Sequence, residues 1–253
     1  MDDVDLVGLA TSIAQRAGAI VVELRQRGLF VTEKADKSIL TNADQASERF
    51  IAAQLRKATP GIPIISEEEN SGKSGEAPFR FWLVDPLDGT REFTAGLDEF
   101  TINIALVVDG QSKLGVVAAP GTGELYAGHL GVGAWKVADE DMHPIHVRQR
   151  PTAGSIALVS RHDAEDPALA PMLRPEQADR VVKMGSGLKF CRIAEGSADV
   201  YPRPGHTMEW DTAAPQVILE AAGGSVQTAD GHSLRYGKPG WINPSFVCRG
   251  AHP

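Results

Sequence analysis

FWLVDPLDGTREF, residues 81–93, decides how this chain is to be read. Four apolar residues, Phe81 to Val84, give way to Asp85, Pro86, Leu87 and a second acid, Asp88, with Gly89 and Thr90 behind it. The apolar run reads as a buried strand. Asp-Pro and Asp-Gly are both turn dipeptides, so a plain turn accounts for the two acids as readily as a metal site that handles phosphate. The flanking sequence has to choose.

Upstream, Leu6, Ala10, Ile13, Ala17, Ile20 and Leu24 recur at helical spacing, which predicts an amphipathic helix over 4–27 with acids at its start and Arg25, Arg27 and Gly28 at its end. A second helix is expected over 43–57, introduced by Thr41 and Asn42 with Asp44 in the capping-box position and closed by Pro60-Gly61. IPIIS (62–66) reads as a short strand that runs into Glu67-Glu68-Glu69 and the loop NSGKSGEAP. Downstream, TINIALVV and KLGVVAAP flank Asp109-Gly110, a hairpin signal, and GELYAGHLGVGAWKV adds further antiparallel strands. Beyond Pro151 strands and helices alternate. SIALVS, a helix over 164–173, RVVKM, the helix GLKFCRIAEG, DVYPR and the helix AAPQVILEAAGG come in turn, then two strands about a turn at Asp230-Gly231. The expectation is an α/β (α+β) protein with two layered halves, 1–150 and 151–253.

The chain has 253 residues, 42% hydrophobic and 23% charged, the balance of a globular protein able to bury a core. Its net charge of −8 repels polyanions, which argues against a nucleic-acid polymer as partner. A small phosphorylated substrate stays possible where bound cations reverse the local sign. The acidic start MDDVD is unlike a secretory leader, and no stretch reads as long and apolar enough to cross a bilayer. Cys191 and Cys248 lack CxxC spacing, which argues against structural zinc and a disulfide framework. A cytoplasmic protein is the default expectation.

Four acids stand where loops leave apolar structure: Glu67, Asp85, Asp88 and Asp211. Taken singly, each has a bland explanation: a solvated acidic turn, a turn, or, for Asp211 in MEWDTAA, a helix N-cap. Together, ISEEE, WLVDPLDGT and EWDTAA, in that order, resemble the lithium-sensitive, magnesium-dependent phosphatases that include inositol monophosphatase. DPLDGTREF, GSGLKFCRIAEGSADVYPR and WDTAA are most similar to the bacterial CysQ-type 3'(2'),5'-bisphosphate nucleotidase branch. The resemblance runs from ADQASE to NPSFV, nearly the whole chain.

It implies an alternating αβαβα layered sandwich and a phosphoric monoester hydrolase. Two magnesium ions are implied, with a third, weaker one. Asp85 would bridge the pair, Glu67 and the carbonyl of Leu87 would complete one position, and Asp88 and Asp211 the other. Glu67 and Thr90 would orient the attacking water, and the amides of Gly89 and Thr90 would receive phosphate oxygens. Asp44 would help to hold water at the third ion. Ser186, Gly187 and Lys189 would face the substrate, with Gly185 in the same neighbourhood, although a loop-to-helix entry explains Gly185, Ser186 and Gly187 equally well. The implied substrate is adenosine 3',5'-bisphosphate, with inositol or sugar phosphates as the alternative, and the implied setting is cytoplasmic or peripheral to the inner membrane face, as monomer or homodimer. The implied chemistry is coherent, because paired divalent ions acidify water, neutralise phosphoryl oxygens and stabilise the leaving alkoxide.

Some positions stay open. Arg91 and Glu92 read as an exposed helix face, with a contact from Arg91 to a second phosphate as the alternative. Cys191 reads as core. His206 stands where the resemblance would put a proline, and an exposed loop imidazole is the simpler reading. Pro215 replaces a small residue and is tolerated if it lies near its helix's first turn. The D-x-x-D spacing departs from the D-x-D-G-T of aspartyl-phosphate-forming phosphatases. A non-catalytic cation binder would have no use for the Thr90 hydroxyl.

Overall fold

Alternation along two neighbouring strands explains the layering. In the computed structural model, which describes residues 2–33, 38–70, 76–138 and 141–251, the first half gives α1 (Asp3–Arg27), β1 (Val31–Glu33), β2 (Ile39–Thr41), α2 (Asn42–Ala58), β3 (Ile64–Ser66), α3 (Glu67–Asn70), β4 (Arg80–Asp88), α4 (Thr90–Thr94), β5 (Thr101–Val108), β6 (Gln111–Ala119), β7 (Glu124–His129), β8 (Gly133–Ala138) and β9 (Asp141–Pro144). The second half gives β10 (Ile156–Ser160), α5 (Leu169–Leu173), β11 (Arg180–Met184), α6 (Leu188–Ala194), β12 (Val200–Arg203), β13 (Thr207–Met208), α7 (Glu209–Ala221), β14 (Ser225–Thr228), β15 (Ile242–Asn243) and β16 (Phe246–Arg249).

Strands β3 to β9 form a seven-stranded sheet in chain order, with β3 parallel to β4 and the remaining neighbours antiparallel. The β5–β6 turn forms as expected: Asp109 and Gly110 both take positive φ, 51° and 68°, the requirement of a tight hairpin that follows the strand twist. Because side chains alternate across a strand, Trp82, Val84, Ile102, Ile104 and Leu106 face α1 and α2, whereas Phe81, Leu83, Ala105 and Val107 face α6 and α7. The second face also carries Leu158, Tyr201 and Phe246 of a five-stranded sheet ordered β11-β10-β12-β16-β14, so one core joins both sheets through the intervening helices. A Cβ on Gly115 or Gly128 would lie 2.7 Å from the Cα of Ala214 or Ile218, so α7 rests directly on the larger sheet's backbone.

The structure corrects several expectations. Where a helix was expected over 164–173, only Leu169–Leu173 is α-helical, followed by a 3-10 turn at Arg174–Glu176. Prolines 167, 171 and 175 segment that stretch. Gly231 makes its turn, but the expected return strand is reduced to one bridge between Gln227 and Ser233, because β16 occupies the ladder beside β14. Helix α7 begins at Glu209, upstream of AAPQ. By length and composition α1 is apolar enough to cross a membrane, contrary to the sequence reading, but Leu6, Ala10, Ile13, Ala17 and Val21 are buried in the core against the sheet.

Candidate active site

Strand parity brings Asp85 to the site. Phe81 and Leu83 point toward α7, so Asp85 continues that face, pairs with Asn103 of β5 and is 1% exposed. The β4–β5 register shifts between Asp85 and Asp88, which allows the second acid to meet the same space. Asp85 Oδ1 accepts the Leu87 amide at 3.0 Å, and the Pro86 carbonyl accepts Ser47 Oγ of α2 at 2.7 Å. Asp88 Oδ2 accepts the Gly187 amide at 2.6 Å and also faces Thr101 Oγ1 at 3.2 Å and Asn103 Nδ2 at 3.4 Å. Gly89, at φ 87°, turns the chain into α4, where Thr90 Oγ1 lies 3.1 Å from Asp44 Oδ1 and 3.0 Å from the Leu87 carbonyl. Asp44 also closes the α2 capping box, its Oδ2 accepting the Thr41 amide at 2.8 Å.

Glu67 opens α3 directly after β3. Asp211 is the third residue of α7 and not its cap; its Oδ2 accepts the Met208 amide at 2.9 Å. All the expected site residues except Asp44 line one cleft of about 430 Å³, and Asp44 stands behind Thr90.

The electrostatics of that cleft are lopsided. Burial pushes the Asp85 carboxyl well up, and the charges of Glu67, Asp88 and Asp211 push it further. Burial lifts Asp211 to about 7, the Asp88 charge adds to this, and the Met208 amide opposes it. Asp85 and Asp211 therefore each raise the cost of ionising the other. Burial also raises Asp88, against Lys189 and the Gly187 amide, and Asp44, against its bonds to Thr41 and Thr90. Lys189 is 4% exposed and lowered to about 8 by burial. Its ammonium is spent on the Ser186 carbonyl at 2.7 Å and the Met184 carbonyl at 3.3 Å, and lies 4.9 Å from the Tyr201 ring centre, so it braces the turn in which Ser186 has φ 52°.

Every expected donor is an oxygen, which is the set a hard divalent cation takes, and a cation would relieve the repulsion that lifts these carboxyls. Among the described residues no three His, Cys, Asp or Glu side chains are already gathered at ligand spacing, in keeping with acids whose charges repel. By donor chemistry the site fits such an ion.

Other expectations shift. Glu92 is 4% exposed, paired with His162 Nε2 at 3.1 Å, and not on an exposed helix face; Arg91 is exposed at the cleft. His206 is exposed, its Nδ1 3.2 Å from the Asn243 carbonyl, and does not line the cleft. Pro215 lies inside α7, beyond the first turn, and lacks the amide that would bond the Asp211 carbonyl. Cys191 is buried core, as expected.

Sequence reasoning missed Thr101 and Asn103, although two polar residues on one face of an otherwise apolar strand were a usable signal. It also missed the turn 161–163. There Arg161 pairs with Glu99 at 2.5 Å, His162 with Glu92, and Asp163 with Arg203, contacts between distant segments that no local spacing announces.

Over residues 3–251 the sequence matches the inositol monophosphatase family. The chain belongs to that family. It is 40% identical to the 3'(2'),5'-bisphosphate nucleotidase CysQ of Escherichia coli O6:H1 over 239 residues, 92% of this chain and 95% of the relative. It is 34% identical to the Nus factor SuhB of Pasteurella multocida, over 87% of this chain and 84% of that one. Among solved structures, CysQ from Bacteroides thetaiotaomicron superposes with a TM-score of 0.79 at 32% identity, covering 97% of both chains. Inositol monophosphatase from Anabaena gives 0.77 at 26%, covering 98% of this chain and 90% of that one. The family and these relatives make this chain a phosphatase with the layered α/β fold of inositol monophosphatases.

Proposed function

We propose that the chain removes the 3'-phosphate of adenosine 3',5'-bisphosphate, giving AMP and inorganic phosphate, and acts likewise on the sulfated nucleotide. In the cell this would clear a by-product of sulfate assimilation, in the cytoplasm. The reading is carried by one observation: Glu67, Asp85, Asp88 and Asp211 line the same cleft as Thr90, in a chain 40% identical to a bisphosphate nucleotidase.

Magnesium would be held by Glu67, Asp85 and the Leu87 carbonyl at one position and by Asp85, Asp88 and Asp211 at the other. When bound it would acidify water, neutralise the phosphoryl oxygens and stabilise the departing ribose oxygen. The chain's own groups do the rest. Thr90 has one hydroxyl proton and two acceptors within 3.1 Å. With the Leu87 carbonyl engaged, that proton goes to Asp44 Oδ1, leaving the Thr90 lone pairs to accept a hydrogen bond from the attacking water. Glu67 holds the water from its other side. The Gly89 and Thr90 amides receive phosphate oxygens, and the Gly187 amide keeps Asp88 Oδ2 from swinging.

A substrate panel tests this: the bisphosphate nucleotide, its sulfated form, inositol monophosphate and fructose 1,6-bisphosphate, each with magnesium or EDTA, with phosphate release as readout. Magnesium-dependent turnover led by the nucleotides is expected, with inhibition by lithium. Faster turnover of inositol or fructose phosphates, or full activity in EDTA, overturns the assignment.

A further inference from the structure

One buried acid has no part in that scheme. Glu48 lies one helical turn beyond Asp44 on α2 and is 7% exposed. Its Oε1 accepts a hydrogen bond from Ser66 Oγ, while Oε2 is buried without any hydrogen-bond partner. A carboxyl with one bare oxygen in the interior is costly. The surroundings add to the cost, since burial lifts this carboxyl to about 6 and the charges of Glu69 and Glu68 push in the same direction.

The location suggests what the cost maintains. Ser66, 1% exposed, is the last residue of β3, and Glu67 follows it immediately. Strand β3 is three residues long and sits at the edge of its sheet, paired on one side only through Ile64–Ser66 with Trp82–Val84 of β4. Short edge strands are where a ladder frays first. The Glu48 carboxyl grips the strand's last side chain, and Asn70 Oδ1 accepts the Ser66 amide at 3.1 Å to close the following turn. Helix α2 thereby serves the cleft twice. Asp44 fixes Thr90, and one turn later Glu48 fixes the residue before Glu67.

We infer that Glu48 is a positioning residue for Glu67: by holding Ser66 it sets where the end of β3 delivers the Glu67 carboxylate to the cleft. This rests on the reading that Glu67 takes part in phosphoryl transfer.

The test uses Glu48→Ala, Glu48→Gln, Ser66→Ala and the double variant Glu48→Ala/Ser66→Ala, with Glu67→Gln as reference. Turnover with magnesium, Mn²⁺ affinity by electron paramagnetic resonance and thermal melting are measured. Glu48→Ala and Ser66→Ala should each lower kcat by about tenfold, since misplacing a reacting group by a fraction of an ångström has costs of this order. KM should stay within about twofold and Mn²⁺ binding should weaken, while Glu48→Gln, which keeps an acceptor oxygen for Ser66, should restore both. The double variant should be no worse than either single one, because both remove the same bond. Ser66→Ala removes one oxygen and carries the test should Glu48→Ala not fold. Normal kcat and Mn²⁺ affinity in Ser66→Ala, or a Gln variant as impaired as the Ala variant, overturns the inference while leaving the proposed function standing. Normal turnover and Mn²⁺ affinity in Glu67→Gln overturns the proposed function, and the inference with it.

Discussion

Replacing Asp211 with Asn should stabilise the protein in the absence of divalent ions while ending turnover. In the folded chain Asp211 is raised from 3.8 to about 7, chiefly by burial and then by the Asp88 charge. An acid whose pKa is raised on folding binds its proton more tightly in the native state. Its contribution is therefore full below the unfolded pKa and is lost as pH rises through the folded one. At roughly 1.4 kcal/mol per pH unit, a rise of about three units sets a ceiling near 4 kcal/mol. Solvent reaching the carboxyl from the cleft, and its mutual titration with the neighbouring carboxyls, reduce this to about 2 kcal/mol. Asn keeps an oxygen for the Met208 amide and removes the charge. For a chain of this length, about 2 kcal/mol corresponds to roughly 4–8 °C in Tm. Melting in EDTA should therefore show the variant above the native chain by that amount at pH 8, with the gap closing toward pH 4. Magnesium should raise the native Tm and leave the variant nearly unmoved. A variant no more stable than the native chain at pH 8, or a gap independent of pH, would refute the argument that uncompensated carboxylates strain this cleft.

Two further substitutions probe the backbone around it. Gly89→Ala forces a side chain into a φ of 87° and sets its Cβ 2.9 Å from the Glu99 carbonyl, so a loss of about 2–4 kcal/mol is expected. A drop in kcat of about a hundredfold should accompany it as Thr90 is displaced, measured by melting and phosphate release; near-native turnover would show that the turn tolerates movement. Pro215→Ala restores an amide for the Asp211 carbonyl and should raise Tm by about 2–6 °C. It also removes the ring that lies 3.3 Å from where a Gly187 Cβ would sit, so kcat should fall a few-fold as the Asp88–Gly187 bond loosens; an unchanged or lower Tm counts against this.

Legibility in the sequence followed the range of the interactions. Helix α1, the Thr41–Asp44 capping box and the Asp109-Gly110 hairpin were readable because a few consecutive residues determine each of them. The Asp230-Gly231 turn was readable for the same reason, but its consequence was not. The partner that completes the ladder beside β14 is β16, and nothing local distinguishes that strand from the hairpin return. The acids at the ends of β3 and β4 were legible as candidates. The tethers that aim them were not, since Gly187 on Asp88, Glu48 on Ser66 and Ser47 on the Pro86 carbonyl each join positions at least 18 residues apart. Pro215 shows the converse failure. Its tolerance was argued from nearness to a helix start that the structure places at Glu209, so the proline sits where a bond is lost.

The arrangement explains why a stable protein keeps so many acids in one place. Amides and hydroxyls hold three of them: β5 and the α6 entry hold Asp88, the Met208 amide just ahead of α7 holds Asp211, and the Leu87 amide of its own strand holds Asp85. Those bonds fix direction but leave net negative charge, since the acids lining the cleft outnumber its cations, Arg91, Lys189 and Arg203. Nothing in the packing requires this, because neutral amides would satisfy the same donors at lower cost. The close approach at Gly115 and Gly128 seats α7, which carries Asp211, directly on the larger sheet. On the proposed function a divalent ion would supply the charge that the fold withholds, so the strain that weakens the protein without the ion would be the same interaction that binds the ion in the working enzyme.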